Sequence, residues 1–455
     1  MPGIFGIFEI GRRALAAQQI GMNVTSHNIA NASTVGYSRQ RTDFVAGMAL
    51  QNAQGFFLGT GVDVQSITRM RDRFLDTQYR QANSSLGNAS MRSGVLSQIE
   101  ASLQEPSDSG LQALMAGFFN SFQELAAHPE ESAPRNAVLM QATRLASTFN
   151  RLSTNFTTQR ANIAEDVGNK IAQINRLTQQ IGQLNQQILT AQGGGNQSAD
   201  LRDQRDAALD ELSRIADVSA SVDGQGILYV SIGGTIVAGN GTSTALQSNV
   251  VNGSLKITNA VGQDVNLNGG ELGSMLEMYN TTIPGYMSQL DQLATTIIRR
   301  VNTVHAAGYG LGNPPPTGID FFTGTDASTI AVSSQISTNI NNIAASADGS
   351  PGNNANALAL YGIFNEQLMD AGTTTVTQYY SRFVSTIGTA VSAANADSNG
   401  ATAVLSQVDA QRESISGVSL DEEMTNMIRF QRSYEAAARV ISAADELMKT
   451  ILNLV

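Results

Sequence analysis

HNIANASTVGYSRQ, residues 27–40, follows directly on a segment whose apolar residues recur at helical spacing. These apolar residues share one face of a helix, at intervals of four, seven, seven and seven residues, and are Ile4, Phe8, Leu15, Met22 and Ile29. In the quoted stretch, Asn and Ser side chains are suited to bonding free backbone groups, and Gly36 accepts backbone angles that other residues resist. The sequence therefore predicts a first helix that ends in a corner of the chain.

The C-terminal segment carries a second and longer apolar stripe. It alternates in steps of four and three residues, the spacing of a coiled-coil seam, and only Gln431 and Asp445 interrupt it. Its members are Leu420, Met424, Met427, Tyr434, Ala438, Ile441, Met448, Leu452 and Val455. Such a seam requires a partner helix. Either the two terminal helices pair and leave their outer faces for neighbouring molecules, or each packs on the body of its own chain.

Between the two ends, the pattern predicts a helical body with an inserted β domain. A further seam over 167–191 ends at Gly193-Gly194-Gly195, and 201–215 forms a returning helix. Further helices are expected at 70–104, 110–127, 135–165, 272–305 and 373–412. From 217 to 272 the apolar period becomes two and tight-turn pairs such as Asp223-Gly224 and Asn240-Gly241 recur, which favours antiparallel hairpins.

The resulting fold class is mainly α with a small β domain. The terminal helices pair as an α-helical coiled coil, the body is a helical bundle, and the antiparallel β domain is inserted into it. The expected division is 1–45 with 415–455 as the terminal coiled-coil domain, 46–216 with 273–414 as the helical body, and 217–272 as the β domain.

Charge and composition exclude several partners. The chain of 455 residues has a net charge of -11 and no cluster of Lys and Arg, which argues against nucleic-acid binding. No apolar run approaches the roughly 18 residues of a membrane span. The opening MPGIFGIFEIGRR lacks the order of basic, apolar and cleavage regions found in a secretory signal, so no cleaved signal peptide is expected.

The residues that could carry out chemistry are scattered, which argues against an enzyme. His27, His128 and His305 lie far apart in the sequence, cysteine is absent, and no nucleophile elbow or phosphate-binding loop occurs. We therefore expect no catalytic residues, no metal and no cofactor. Asp200, Asp203, Asp206 and Asp210 are spaced along one predicted helix with arginines between them, and we interpret them as a solvated or salt-bridged helix face of little energetic weight.

The two ends of the chain resemble the signatures of bacterial flagellar axial proteins, which are the rod, hook and hook-associated proteins. In these proteins an amphipathic helix ends in an N-x-x-T-x-G-Y turn, and the matching residues here are Asn31, Thr34, Gly36 and Tyr37. The ending that starts with ESISGVSLDEE at residue 413 resembles the C-terminal signature. Within the group, GYSRQ, DLRDQRDAALDELSRIADV and GELGSMLEMYN are most similar to the hook-associated proteins of the hook-filament junction.

The resemblance implies a structural role at the hook tip. The expected partners are copies of the chain in a ring, hook protein below, the next hook-associated protein above, and a cytoplasmic export chaperone on the C-terminal helix. The implied location is the extracellular flagellum, reached through the flagellar type III export apparatus. Self-assembly is expected to use both apolar stripes and the corner residues, and the chaperone to bind the C-terminal stripe. The resemblance also implies that this chain lacks the outer domain that family members often carry after the segment matching FFTG at 321–324.

Three other interpretations remain open at this stage. The chain could be a hook or rod protein, which share both ends. It could be a surface adhesin or enzyme with its activity in 217–272, or a self-contained coiled-coil protein whose ends are helical in the monomer. For the junction protein, we expect about 1–45 and 415–455 to be largely disordered before assembly, because an isolated helix is marginally stable in water.

Overall fold

Helices make up most of the fold. The computed structural model describes residues 4–51, 55–193 and 198–452. The α-helices are α1 Ile4–Ala30, α2 Arg73–Leu103, α3 Leu111–Ala127, α4 Ser132–Gly193, α5 Ala199–Ile215, α6 Gly270–Glu277, α7 Ile283–Ala307, α8 Ser334–Thr338, α9 Ala355–Gly362, α10 Val376–Ser416 and α11 Leu420–Leu452. A π-helical turn, Met278–Thr282, joins α6 to α7, and 3-10 turns occupy Ile340–Asn342 and Ile363–Asn365.

The strands form small antiparallel sheets. They are β1 Gln40–Ala46, β2 Leu50–Gln51, β3 Phe57–Leu58, β4 Val62–Arg69, β5 Val218–Val222, β6 Leu228–Ile232, β7 Thr235–Ala238, β8 Leu246–Val251, β9 Ser254–Asn259, β10 Phe322–Thr323 and β11 Ala331–Val332. The sheet β5-β6-β7 has three strands, and the pairs β1-β4, β2-β3, β8-β9 and β10-β11 have two each. The fold class expected from the sequence, mainly α with a small antiparallel β part, is confirmed.

The body is held together by one continuous apolar core. α2 runs antiparallel to α10, as shown by Ser93 bonding to Asn395 near one end and by the Arg412 guanidinium lying 4.5 Å from the Tyr79 ring centroid near the other. An aromatic cluster in the core joins α3 to the segment around β10 and comprises Phe118, Phe119, Phe122, Phe321 and Phe322. These side chains are almost completely buried, so the helices of the body form a single packed unit.

The strands between β5 and β9 pack against α4 and share the core of the body. Leu228, Val230 and Ile232 of β6 are buried in that core. The Asn185 amide of α4 donates to the carbonyl oxygens of Leu228 and Gly239 at 2.8 and 2.9 Å, and its oxygen accepts from the Leu228 amide. A buried side chain thus satisfies backbone groups at the strand ends and fastens the sheet to the helix.

Two local predictions differ from the structure. The segments 135–165 and 167–191, expected to be separate helices, belong to the single 62-residue helix α4. A shift of the apolar residues to another face of a helix does not by itself interrupt its backbone hydrogen bonds. The hairpin of β1 and β4 was not predicted, and it lies directly between the corner and the helical body. In the predicted Gly193-Gly194-Gly195 break, Gly194 and Gly195 lie outside the described residues.

Candidate functional site

The terminal helices α1 and α11 pair with each other in antiparallel fashion. Close approaches occur between Gly11 and Ile441 and between Gly21 and the Phe430 ring, and a hydrogen bond joins Asn28 to Glu423. A Cβ atom added at Gly21 would lie 3.1 Å from the Phe430 ring, so glycine allows the aromatic ring to rest on the α1 backbone. The expected pairing of the two ends is confirmed by this arrangement.

The face of α1 that packs inward is made of small residues. Gly11, Ala17, Gly21 and Val24 are buried, whereas the predicted stripe members Phe8, Leu15, Met22 and Ile29 are half-buried and flank them. Ile4 begins the helix. Close backbone approach explains the pattern, because small side chains let the larger residues of α11 reach the α1 backbone.

On α11, the structure divides the predicted stripe. Met427, Tyr434, Ala438, Ile441 and Met448 are half-buried along the pair. Leu420, Met424 and Leu452 are exposed, and Val455 lies outside the described residues. The other side of the seam is formed instead by Glu423, Phe430, Ala437 and Ala444, each one residue earlier than the predicted Met424, Gln431, Ala438 and Asp445.

The corner after α1 is built by local hydrogen bonds. The side-chain amide of Asn31 donates to the His27 backbone carbonyl at 3.0 Å, and the backbone amide of Thr34 donates to the Asn31 backbone carbonyl at 2.9 Å. Gly36 has φ +82°, a left-handed angle that favours glycine, and the Tyr37 hydroxyl then reaches the Asn28 side chain at 2.7 Å. These contacts turn the chain from α1 toward the body, as the sequence predicted.

A polar hub joins the corner to α11. The side-chain amide of Asn28 donates to Glu423 Oε2 at 2.9 Å and to the backbone carbonyl of Gln40. Arg39 Nε donates to Glu423 Oε1 at 2.8 Å. Glu423 is 2% exposed, and a buried carboxylate is tolerated only when paired and hydrogen-bonded in this way. The relative positions of the two terminal helices are therefore set by specific polar contacts as well as by apolar packing.

The same corner is bound to α5 of the body. Ser38 donates to Asp203 through its amide at 3.0 Å and its hydroxyl at 2.7 Å, and the Gln40 side chain donates to Asp200 at 2.9 Å. His27 lies in this polar region, with Nδ1 3.0 Å from the Tyr37 hydroxyl. Burial, with the nearby Asp200 carboxylate, raises the pKa of the Tyr37 phenol well above its usual range, so this hydroxyl stays protonated.

The aspartates of α5 form a buried ionic network, which corrects the expectation of a weak surface face. Arg69 Nη1 lies 2.7 Å from Asp203 and 3.0 Å from Asp206, and Arg71 also contacts Asp206 at 3.1 Å. Asp210 is shared by Arg80 of α2 and Arg412 of α10, at 2.9 and 2.6 Å. The partners come from β4, α2 and α10, which only the folded chain brings to α5.

The electrostatic effect of the network is visible at Asp206. Burial on its own would raise the pKa of this carboxyl, but the adjacent Arg71 and Arg69 outweigh it and hold the pKa below its usual value. Asp206 therefore stays ionised at neutral pH. The network ties α5, α2 and α10 together at the point where the corner is attached.

Large apolar side chains remain exposed on the terminal pair and on the hairpin next to it. On α1 and α11 they are Phe5, Ile7, Ile10, Leu420, Met424, Ile428, Val440, Leu447, Ile451 and Leu452. The hairpin of β1 and β4, with the β2–β3 segment between its strands, adds Phe44, Val45, Met48, Leu50, Phe57 and Leu58. Most of the exposed large apolar residues in the described ranges lie in these segments, which make up a small part of the chain. Concentrated apolar exposure of this kind marks an interaction surface.

Neither a metal-binding group nor a membrane-spanning helix is found in the described residues. No group of three or more His, Asp or Glu side chains there is arranged to hold a metal ion. No described helix has the length and apolarity that crossing a membrane requires. The site to which sequence and structure both point is therefore a protein surface built from the paired ends of the chain.

Comparison with known families identifies three matching segments. Residues 96–322 match the family described as the flagellar hook-associated protein FlgK helical domain. Residues 8–37 match the flagella basal body rod protein family, and residues 410–454 match the C-terminal family of the flagellar basal body rod FlgEFG proteins. The two terminal matches cover α1 with its corner and α11.

Whole-chain relatives and one solved structure agree with these matches. The chain is 26% identical to flagellar hook-associated protein 1 of Escherichia coli K12, with 97% of this chain and 98% of that protein covered. The fold is similar to the flagellar hook junction protein FlgK from Burkholderia pseudomallei, with a TM-score of 0.65, 17% identity, and coverage of 76% of this chain and 100% of that one. Flagellar hook-associated protein 1 of Bacillus subtilis strain 168 is 33% identical, with 100% of this chain and 99% of that protein covered. The chain therefore belongs to the flagellar hook-associated protein 1 family.

Proposed function

We propose that this chain is a structural subunit of the bacterial flagellum that assembles at the hook tip and forms the junction on which the filament is built. Its family is a structural one, and the solved relative is a flagellar hook junction protein. The chain acts by binding its neighbours and not by catalysis. The scattered histidines and the absence of cysteine support this conclusion.

One observation carries the proposal: the paired terminal helices leave large apolar side chains in solvent. Phe5 and Leu452 are each 70% exposed, and Met424 is 57% exposed. Burial of one such side chain contributes about 1.5 to 3 kcal/mol, so a few of them supply enough free energy for stable association. Copies of the same chain, arranged around a tube, bring these surfaces together.

The residues of this assembly surface come from both ends of the chain. In the N-terminal helix and corner they are Ile4, Phe8, Leu15, Met22, Ile29, Asn31, Thr34, Gly36 and Tyr37. In the C-terminal helix they are Leu420, Met424, Met427, Tyr434, Ile441, Met448 and Leu452. Residues at the α1–α11 contact shape the pair, and the exposed ones contact neighbouring molecules.

The partners follow from the position of a junction. Copies of the chain form a ring, with hook protein below and the next hook-associated protein above. Because the contacts of a growing tube are head-to-tail, each subunit presents different surfaces to its different neighbours. Before assembly, a cytoplasmic chaperone covers the apolar residues of α11, and the subunit leaves the cell through the flagellar type III export apparatus.

The test of the proposal is electron microscopy of cells that lack the chain. We expect hooks without filaments, filament protein released into the medium, and recovery of both filaments and swimming when the gene is supplied on a plasmid. Gold labelling of a tagged chain should place it at the hook-filament boundary. Normal filaments in its absence, or label along the filament or on the cell surface, would contradict the proposal.

A further inference from the structure

An arginine-lined cleft lies beside the ionic network of α5. Its volume is about 840 Å³, and its walls come from the end of β4, the first turns of α2, the start of α5 and the turn between β5 and β6. Six arginines line it: Arg69, Arg71, Arg73, Arg80, Arg202 and Arg205. Three aspartates, Asp76, Asp206 and Asp223, also line it, so the lining carries more positive than negative groups on a chain whose net charge is -11.

Half of these arginines are already neutralised by the ionic network of α5. Arg69, Arg71 and Arg80 pair with Asp203, Asp206, Asp76 and Asp210 at 2.6 to 3.1 Å. Arg73 and Arg202 form no ion pair with any described residue. The carboxylate nearest to Arg205 is Asp206, 3.9 Å from its Nε, and Asp206 is already shared by Arg69 and Arg71.

Arg205 is the most deeply buried of the six arginines in the cleft. The residue is 4% exposed, its Nη1 donates to the Asn185 side chain and the Gly226 carbonyl at 2.9 Å, and its Nε has no hydrogen-bond partner among the described residues. Burial lowers the pKa of Arg205 to about 10, and burial together with the nearby Arg69 lowers the pKa of Arg202. The carboxylate of Asp206, 3.9 Å from Nε and shared with Arg69 and Arg71, compensates the buried Arg205 charge only in part, so a bound anion would stabilise this arrangement.

We propose that this cleft binds the carboxylate side chains of a second copy of the chain in the assembled ring. The inference rests on the proposed function, which brings copies into contact. The chain carries 38 acidic against 27 basic residues, so the surface of a neighbouring copy is rich in carboxylates. Planar guanidinium groups bind carboxylates through paired hydrogen bonds, and a head-to-tail contact inserts one surface of the subunit into a different surface of the next.

Charge reversal in the cleft is the first test. The Arg73→Glu/Arg202→Glu double variant should keep the unfolding midpoint of the purified chain, because neither arginine forms an ion pair, but should reduce swimming and filamented hooks about tenfold or more. Arg144→Glu/Arg299→Glu is the matched control: both arginines are exposed, unpaired among the described residues and outside the cleft. The neutral Arg73→Gln/Arg202→Gln variant should give an intermediate loss.

The control separates the two proposals. Filaments that form equally well without the chain would overturn the proposed function. If the wild type and the control double variant both restore filaments, the function stands, and normal filaments with Arg73→Glu/Arg202→Glu would then overturn the cleft contact alone.

Direct contact is tested by a photo-reactive p-benzoylphenylalanine at position 73. Illumination of isolated hook-filament junctions should yield a product of twice the chain mass, with the cross-link mapped beside an Asp or Glu of the second copy. A product that contains another flagellar protein, or no product, would overturn the inference. Thermal unfolding of the purified chain with added inorganic phosphate tests the alternative of a small anion. Saturable stabilisation at phosphate concentrations below about 1 mM, lost in Arg73→Glu/Arg202→Glu, would overturn the contact between copies and assign the cleft to a small anion.

Discussion

Gly36 is the residue on which the corner depends most. Its φ of +82° lies in the left-handed region. Among the described residues, the nearest atom to an added Cβ would be the Ala207 Cβ at 3.4 Å, which is an ordinary contact distance. The constraint is therefore backbone strain and not space. A β-branched residue at this φ angle costs about 1 to 2 kcal/mol. A variant chain relieves this strain by adopting other backbone angles at position 36, and it then leaves α1 in a different direction.

Gly36→Val should therefore misdirect the terminal pair while the body stays folded. We expect the thermal midpoint of the body to be preserved and the fraction of hooks that carry filaments to fall severalfold. The adjacent Val35→Ala is a suitable control because Val35 is 99% exposed. Wild-type filament numbers with Gly36→Val would show that the corner does not direct assembly.

His305 makes the stability of the body depend on pH. The ring is buried, with Nδ1 2.7 Å from the Ile319 carbonyl and Nε2 accepting from the Ala344 amide at 2.9 Å. Burial lowers the pKa of His305 from 6.5 to about 4. The unfolded chain consequently binds the proton more readily, and the free energy of unfolding should decrease as pH falls from about 6.5 to about 4, by at most about 3 kcal/mol.

Urea unfolding at pH 7.5 and pH 4.5 measures this dependence. His305→Gln should be less stable than the wild type at pH 7.5, because one of the two hydrogen bonds is lost or weakened, and should lose less stability than the wild type at pH 4.5. Carboxylates that are paired in the folded chain also make stability depend on pH, as at Asp206, whose pKa is lowered. They are present in both proteins, so the difference between the two losses reports on His305. Equal losses in the two proteins would contradict the assignment.

At the residue scale, the sequence predicted the corner but not what the corner binds. Asn31, Thr34 and Gly36 act within a few residues of one another, so their spacing alone indicates a turn. The Glu423 contacts with Asn28 and Arg39 join residues almost 400 positions apart, and the α5 aspartates meet arginines from three other elements. Local spacing contains no information on such partners.

At the scale of elements, the terminal pair shows why the α11 seam was assigned only in part. Steps of four and three fit the predicted positions Met424, Gln431, Ala438 and Asp445, and they fit equally well the set one residue earlier, which the structure uses. The earlier set contains Phe430, Ala437 and Ala444 and is more apolar. On α1, the inward face consists of glycine and alanine, which a search for large apolar residues does not detect.

The contact between Gly21 and Phe430 offers a size-exchange test of the pair. Gly21→Leu should drive the helices apart and reduce incorporation into hooks, because even a Cβ would lie 3.1 Å from the Phe430 ring. Phe430→Ala removes the obstructing ring, so the double variant should regain part of the lost incorporation, measured by immunoblot of isolated hook-basal bodies. A double variant no better than Gly21→Leu would place the steric conflict elsewhere.

At the scale of the whole molecule, the terminal pair is attached to the body by polar contacts and leaves apolar surface outward. The corner reaches α5 through Asp200 and Asp203, and the Arg39 amide donates to the Ser416 carbonyl at the end of α10 at 2.9 Å. These attachments fix the direction of the pair relative to the body. The apolar residues on its outer faces are thereby held in a defined orientation for neighbouring subunits.

The absence of cysteine allows two faces of α11 to be examined with one introduced thiol each. Leu452→Cys reports on the outer face of α11, and Ala444→Cys, at a position that is 1% exposed, reports on the α1–α11 contact. If the ends are disordered before assembly, as the sequence predicts, the thiol of Ala444→Cys should react rapidly with maleimide in the free subunit. Slow reaction there would show that the pair forms within the monomer.

The rate of maleimide reaction at Leu452→Cys, compared between free subunits and isolated hook-filament junctions, measures whether assembly buries the outer face of the terminal pair. If neighbouring copies bury the outer face of the terminal pair, the thiol should react in the free subunit and be protected at least about tenfold in the junction. Equal reaction rates in a variant that assembles normally would contradict the claim that this face joins subunits.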